Sequence, residues 1–365
     1  MADDAPGRDA SLVALDWGTS SFRGWLLDAT GAVLDEVRTD DGTLRCSAGA
    51  GSAPERAAAF ERTFARLCGS WLDRRPGLPV LAAGMVGSNH GWADAGYLDV
   101  PAALPRLADH LTPVPVTGTD VGTVVHLVPG LRVTEPDPDV LRGEEVQLLG
   151  ALEEAREEGG AARATAVLPG THSKWVHLDG DLVTGFGTVM TGELYGLLLR
   201  DSILARLADD GPGDGREDGA DDGTGPSSWE AFDRGLDAEA RRGDERGLAA
   251  LLFTARTLVM AGMLRPAEVA DYLSGLLVGS EVRHALRADP APRVTVCASG
   301  ATARRYDRAL GRHGAAAHVA GQDVAVRGLW RVARDAGLVA APAPGPGTRD
   351  RHHATTPSRT EEGLS

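Results

Sequence analysis

Apolar residues run through Leu12-Val13-Ala14-Leu15, give way to Asp16-Trp17-Gly18-Thr19-Ser20-Ser21, and resume from Phe22 to Leu27. Two β-runs around a glycine and small hydroxyl residues predict a hairpin. Ala32–Arg38, after the turn at Thr30-Gly31, predicts a third strand and hence an antiparallel meander. Over 55–72, Phe60, Phe64, Leu67, Cys68 and Trp71 recur at the spacing of one helical face. Pro79–Gly84 reads as a short buried strand that opens into the loop Met85–Trp92. The order is then β-β-β-α-β, with a glycine-rich loop at a strand's C-terminal end, where open α/β sheets bind ligands.

The segment from Pro101 to Pro115 shows no usable period, Val124–Val128 predicts a strand, and Pro136 and Pro138 mark a loop. Glu144 to Glu158 predicts a helix, with Val146, Leu148, Leu149 and Leu152 apolar and its acidic first turn matched to the helix dipole. The opening pattern then returns: Thr165–Leu168 as strand, Pro169–Ser173 as polar turn, Lys174–Leu178 as strand, Asp179-Gly180-Asp181 as turn, Leu182–Met190 as strand. An apolar helix follows from Thr191. Further helices are expected at 230–241, 245–262 and 266–287, a strand at Arg293–Ala298, and helices at 302–312 and 322–336.

This repeat predicts two similar domains facing each other across a cleft. Their expected bounds are 11–150 and 160–340, with disordered segments at 1–10, 209–228 and 341–365.

A chain of 365 residues exceeds what one core usually supports, which agrees with two domains. Hydrophobic residues at 42% and charged residues at 24% fit a soluble globular protein. A net charge of −15 argues against nucleic acid or an anionic membrane as partner. The three cysteines, Cys46, Cys68 and Cys297, are far apart and odd in number, which fits a reducing cytoplasm better than a disulfide framework or zinc site. No apolar run approaches the roughly 20 residues of a membrane span.

The paired turns are the main chemical clue. Asp16 at a strand end can hold a hydrated Mg²⁺, while Gly18, Thr19 and Ser20 can meet a phosphate with backbone N–H groups and hydroxyls. Gly170, Thr171 and Ser173 can grip a nucleotide's phosphates from the opposite side, and Gly300, after a late strand, has the form to approach an adenosine. Each turn taken alone also reads as an ordinary hairpin or a close helix junction. A P-loop nucleotide site is excluded by the lack of its glycine–lysine signature.

Several stretches together resemble the 2-dehydro-3-deoxygalactonokinase family. They are Asp16-Trp17-Gly18-Thr19-Ser20, Gly84-Met85-Val86-Gly87-Ser88, Arg142–Gly150 (RGEEVQLLG), Leu168–Val176 (LPGTHSKWV), Met190–Leu194 (MTGEL) and Tyr272–Gly279 (YLSGLLVG). The resemblance runs in order from about residue 12 to 338, outside the insertion, and the Pro-Gly-Thr-His-Ser-Lys-Trp-Val run is too unusual for chance. It implies an α/β, two-domain, actin-like or hexokinase-like (ribonuclease H-like) fold, with a duplicated β-meander and the active site in the interdomain cleft. It implies ATP and Mg²⁺ as cofactors, and phosphorylation of the C6 hydroxyl of 2-dehydro-3-deoxy-D-galactonate, a step in galactonate breakdown. The alternatives are a kinase for another 2-keto-3-deoxy sugar acid and a non-catalytic sugar- or nucleotide-binding regulator.

With that resemblance, Asp16 is expected in the metal shell, and Glu144 or Glu145 as the general base by analogy with related sugar kinases. Both glutamates equally suit helix N-terminal stabilisation. Lys174 would add charge near the phosphates or stand solvated on its strand, and His172 would donate to phosphate or merely complete the turn. Arg23 or Arg142 would meet the substrate carboxylate, each with a surface ion pair as the alternative. Gly84, Met85, Gly87, Ser88, Asn89 and Trp92 would form the sugar-side loop, with Trp92 equally suited to the core, and Glu193 would contact substrate or stabilise its helix. The expected partners are a small sugar acid and ATP. Oligomeric state is left open, a homodimer included.

Overall fold

The computed structural model describes residues 10–117, 122–157, 163–208 and 228–340. The segments expected to be disordered lie outside these residues except at two edges. Ala10 is fully buried in the first strand, and the Ser228 hydroxyl caps a helix by accepting from the Ala231 N–H.

Strands β1 (Ala10–Trp17), β2 (Phe22–Asp28) and β3 (Val33–Thr39) form the antiparallel meander. β4 (Val80–Ala83) runs parallel to β1, β8 (Val124–Leu127) parallel to β4, and β7 (Thr112–Pro115) closes the edge. The order is β3-β2-β1-β4-β8-β7. A second sheet repeats the design with β11 (Arg163–Leu168), β12 (Ser173–Asp179), β13 (Leu182–Val189), β14 (Arg293–Val296) and β15 (Ala316–Val319). Its order is β15-β14-β11-β12-β13, and β6 (Ala102–Ala103) from the first half pairs onto its β13 edge. In each sheet a three-stranded meander is extended by two parallel strands on the side of its first strand. A small third sheet, β10-β9-β5, joins β5 (Tyr97–Asp99), β9 (Gly130–Val133) and β10 (Asp139–Leu141).

β1 is buried along nearly its whole length because both faces of the sheet are covered, which is why it reads as a continuous apolar run. The helix Ala53–Arg74 starts at Ser52, whose hydroxyl accepts from the Glu55 N–H, and lays Phe60, Phe64, Cys68 and Trp71 on one face. On the other face lies a core shared by both sheets and by two helices, Glu144–Glu157 and Val324–Asp335. Leu12, Ala14 and Leu81 of the first sheet, Leu149 and Leu329 of the helices, and Leu168 and Val176 of the second sheet belong to that one cluster. The two helices cross glycine against backbone. A Cβ on Gly150 would lie 1.9 Å from the Val324 carbonyl oxygen, and one on Gly328 would lie 1.7 Å from that of Val146.

Three local expectations differ from the structure. The single helix expected at 245–262 is two short helices, Leu248–Leu252 and Thr254–Met260, hinged at Phe253, where the Thr254 hydroxyl returns to the Leu251 carbonyl. The preceding helix, expected to end at 241, continues to Arg246 and stops at Gly247, whose φ is +71°. β15 is additional: its Ala-Ala-His-Val sequence has neither alternation nor β-branched richness before Val319, yet it pairs in parallel with β14.

Candidate active site

The site forms where the C-terminal ends of β1 and β4 meet the start of the helix Glu144–Glu157. Asp16 stands opposite Ala83 in the β1–β4 ladder, so its carboxylate lies beside the chain as it turns at Gly84. Gly84 has φ +96°, and a Cβ there would lie 2.7 Å from the Trp17 carbonyl oxygen and 3.4 Å from Asp16 Oδ1. Gly143 has φ +103°, and its Cβ would lie 3.3 Å from the Gly84 Cα. Two positive-φ glycines therefore pack backbone on backbone where β1, β4 and the start of the Glu144 helix meet.

Burial pushes the Asp16 carboxyl up, and the Arg23 guanidinium pulls it partly back. Arg23 is the direct cross-strand partner of Asp16, so the two side chains share a sheet face, and Arg23 is exposed there. Among the described residues no donor is bonded to the Asp16 carboxylate. The turn after it is held from behind: Thr43 and Leu44 donate their N–H groups to Gly18 O (2.9 Å) and Thr19 O (3.1 Å), which leaves Thr19 and Ser20 exposed.

Glu144 and Glu145 both satisfy the helix-end reading. Glu144 Oε2 accepts from the Arg142 N–H at 2.9 Å, and Glu145 Oε2 from the Gly143 N–H at 2.7 Å. Exposure separates them. Glu145 is 0% exposed, with Oε1 unpartnered among the described residues, and burial followed by the Glu144 charge pushes its carboxyl up to about 8. Glu144 is half-buried; burial raises its carboxyl, Lys174 lowers it and Asp16 raises it. Glu144 thus lies within electrostatic reach of a residue from each of the two hydroxyl-rich hairpins.

Arg142 is 8% exposed and turned inward. Its Nη2 donates to Gly96 O at 2.8 Å, its guanidinium lies 4.3 Å from the centroid of the Tyr97 ring, and Asp94 stands 3.9 Å away. Its Nε and Nη1 are buried with no partner among the described residues. Gly87 makes room for this group, since a Cβ there would lie 2.9 Å from Nη1. Met85 is half-buried and Ser88 buried in the same loop.

Trp92 is 7% exposed and packs with Trp17, Phe60 and Phe64. Its ring is a core anchor, and the loop presents backbone and small side chains in its place.

In the second hairpin, Gly170, Thr171 and His172 are exposed at the tip and Ser173 is buried. His172 and Glu193, expected in separate roles, are partners: His172 Nε2 lies 2.5 Å from Glu193 Oε2, and the Glu193 N–H donates to Thr171 O at 2.9 Å. Lys174 is 7% exposed, and its Nζ donates to Val140 O (2.7 Å) and Thr188 Oγ1 (2.6 Å). Its amine ties β12 to β10, so its charge acts on the site from a fixed position. Gly300 is exposed at φ +58° and opens the helix Gly300–Arg312 after β14.

Sequence reasoning passed over Glu281, which is 4% exposed and accepts from Trp175, Thr191 and Tyr306. The available signal was a lone carboxylate in the apolar run Leu276-Leu277-Val278-Gly279-Ser280-Glu281-Val282. Among the described residues there is no group of three or more histidine, cysteine, aspartate or glutamate side chains placed to hold a metal, and no helix long and apolar enough to cross a membrane.

A meander extended by parallel strands, built twice, with a polar hairpin in each copy defines the class: a two-lobed α/β protein with a duplicated sheet. The family described as 2-keto-3-deoxy-galactonokinase matches residues 16–332. A relative from Rhizobium meliloti (strain 1021), named a probable 2-dehydro-3-deoxygalactonokinase, is 36% identical over 326 residues, 88% of this chain and 96% of that protein. The 2-dehydro-3-deoxygalactonokinase of Escherichia coli (strain K12) is 35% identical over 274 residues, covering 75% and 80%. A crystal structure from Sinorhizobium meliloti, described as that of a "putative 2-dehydro-3-deoxygalactonokinase protein", superposes with a TM-score of 0.72 at 34% identity, covering 88% of this chain and 98% of that one. The chain belongs to the 2-keto-3-deoxy-galactonokinase family.

Proposed function

We propose that the chain is an ATP-dependent kinase. It transfers the γ-phosphoryl group of ATP to the C6 hydroxyl of 2-dehydro-3-deoxy-D-galactonate, giving the 6-phosphate and ADP. The observation that carries this reading is the packing of Gly143 on Gly84, and of Gly84 beside Asp16, at the start of the Glu144 helix in a chain that the family matches over residues 16–332. Residues 11–150 form the acceptor side and 160–340 the nucleotide side.

Phosphoryl transfer needs positioning and charge neutralisation more than covalent chemistry from the protein. Asp16 would hold Mg²⁺, and the fit is chemical: a lone carboxylate with no bonded protein donor suits an ion that keeps its waters and leans on phosphate oxygens. A magnesium ion held there would supply positive charge to the phosphates. Gly18, Thr19 and Ser20 face the transferred group, while Gly170, Thr171 and Ser173 steady the nucleotide's phosphates and Gly300 admits its adenosine.

Glu144 accepts the C6 hydroxyl proton as that oxygen bonds to phosphorus. The bond from the γ-phosphorus to its bridging oxygen breaks, and its electron pair leaves with ADP. Glu145, fully buried, holds the Gly143 N–H and touches no substrate. The unpartnered Nε and Nη1 of Arg142 leave N–H donors for an anion, and the acceptor carries a carboxylate. Arg23 faces the same side as Asp16 and offsets part of the burial that raises its carboxyl. The three free, buried cysteines suit a cytoplasmic setting.

An ADP-release assay across 2-keto-3-deoxy sugar acids and plain hexoses tests the reading. Turnover should require a ketodeoxy acid. Activity on glucose with none on ketodeoxy acids overturns it, and preference for a different ketodeoxy acid replaces the named acceptor.

A further inference from the structure

The carboxylate of Glu281 joins the three elements that carry the nucleotide-side turns. It projects from the helix Val269–Ala288 into the second half's interior. Trp175 Nε1, on β12, donates to Oε1 at 2.8 Å. The Thr191 hydroxyl, at the start of the helix Thr191–Asp201, donates to Oε2. The Tyr306 hydroxyl, from the helix that begins at Gly300, lies 2.9 Å from Oε1 and 3.0 Å from Oε2. Tyr306 Oη is also 3.0 Å from Ser173 Oγ, close enough for either hydroxyl to donate to the other.

Each bond reaches the phosphate turn by a short path. Ser173 is the turn's last residue, and Trp175 lies two residues further on. Thr191 precedes Gly192, which packs so tightly on the turn that a Cβ would lie 2.3 Å from Gly170 O and 2.8 Å from Thr171 Cα. The next residue, Glu193, donates its N–H to Thr171 O. A displaced Thr191 would therefore displace Gly170 and Thr171. Five buried polar side chains are satisfied by one another here, and a network of that kind holds a single arrangement.

We propose that Glu281 is a positioning residue for the nucleotide: it fixes the Gly170–Ser173 turn and the Gly300 helix relative to each other, without touching ATP. This rests on the kinase reading above. Its effect should fall on nucleotide affinity and spare the acceptor, whose loop and Arg142 lie in the other half.

The test is calorimetric titration of ADP into the wild-type chain and the variants Glu281→Leu, Glu281→Gln, Thr191→Val and Tyr306→Phe, together with KM for ATP and for the sugar acid. Glu281→Leu should weaken ADP binding by roughly tenfold or more, and the two single-hydroxyl deletions by about threefold to tenfold. KM for the sugar acid should stay within about twofold of wild type. Glu281→Gln should recover most of the affinity, because an amide oxygen still accepts and the hydroxyls can reverse toward its NH₂. If Glu281→Leu does not fold, Thr191→Val and Tyr306→Phe, close in shape to the originals, carry the test. Wild-type ADP affinity in the folded variants overturns the positioning role, as does an equal rise in both KM values. Failure of the wild-type chain itself to bind ADP overturns the kinase reading instead, and this inference with it.

Discussion

Gly143 packs on the backbone of Gly84, each at a positive φ, and a Cβ on Gly143 would lie 3.3 Å from the Gly84 Cα. A Cβ at Gly84 would strain the left-handed backbone and press on the Trp17 carbonyl oxygen at 2.7 Å, one residue from Asp16. Gly84→Ala should therefore lower kcat by about a hundredfold, the scale of a small misplacement of reacting groups. It should also lower Tm by several degrees, for a cost of about 1–2 kcal/mol. Steady-state kinetics beside a thermal melt read both, and unchanged kcat would show that the spacing is not set here.

Asp16→Asn removes a charge that burial disfavours while keeping the shape. The variant should fold with a Tm equal to or above wild type, yet lose turnover by at least about a hundredfold through lost metal positioning. Near-normal kcat would remove Asp16 from the metal shell.

Glu144→Gln should lower kcat by about 10²- to 10⁴-fold with little change in either KM. In the wild-type chain, kcat/KM should fall as pH drops, with an apparent pKa above the ordinary glutamate value of 4.5, because burial raises the Glu144 carboxyl. A profile flat down to pH 4.5 would exclude a buried carboxylate base.

Glu145 gives a stability signature. Its carboxyl titrates at about 8 in the folded chain against 4.5 unfolded, so between those values the folded state binds more protons. The stability linked to this group is thus greatest below pH 4.5 and is lost as pH rises toward 8, by up to about 1.4 kcal/mol per pH unit. Glu145→Gln keeps an acceptor for the Gly143 N–H and removes that loss. Denaturant melts from pH 5 to 8.5 should show the variant gaining on wild type as pH rises, and parallel curves would refute the assignment.

The hairpin turns, the Ala53–Arg74 helix and the glycine loop after β4 were legible because each is local: alternation, 3.6-residue spacing and turn chemistry act within a few residues. What escaped depends on distant partners. β6 is two alanines that become a strand only because β13 offers a free edge, and β15 is defined by β14 beside it. The sequence offered Glu144 and Glu145 as equals, and only the turn at Gly143 buries one and leaves the other within reach of Asp16. Trp92 reads the same for a sugar platform or a core anchor until Phe60 and Phe64 are seen against it. Lys174 likewise looked free until its amine was found committed to Val140 and Thr188.

The crossing of Gly150 with Gly328 has a consequence in time as well as in space. The helix that begins with Glu144 is seated, one and a half turns along, by a helix made almost last, Val324–Asp335. During synthesis, the first sheet and its aspartate can be in place while Glu144 still lacks the surface that fixes its helix. The setting proposed for Asp16 and Glu144 is therefore completed only once residues 324–335 have been made and have docked. A chain halted before residue 324 would carry both carboxylates without the surface that seats the Glu144 helix.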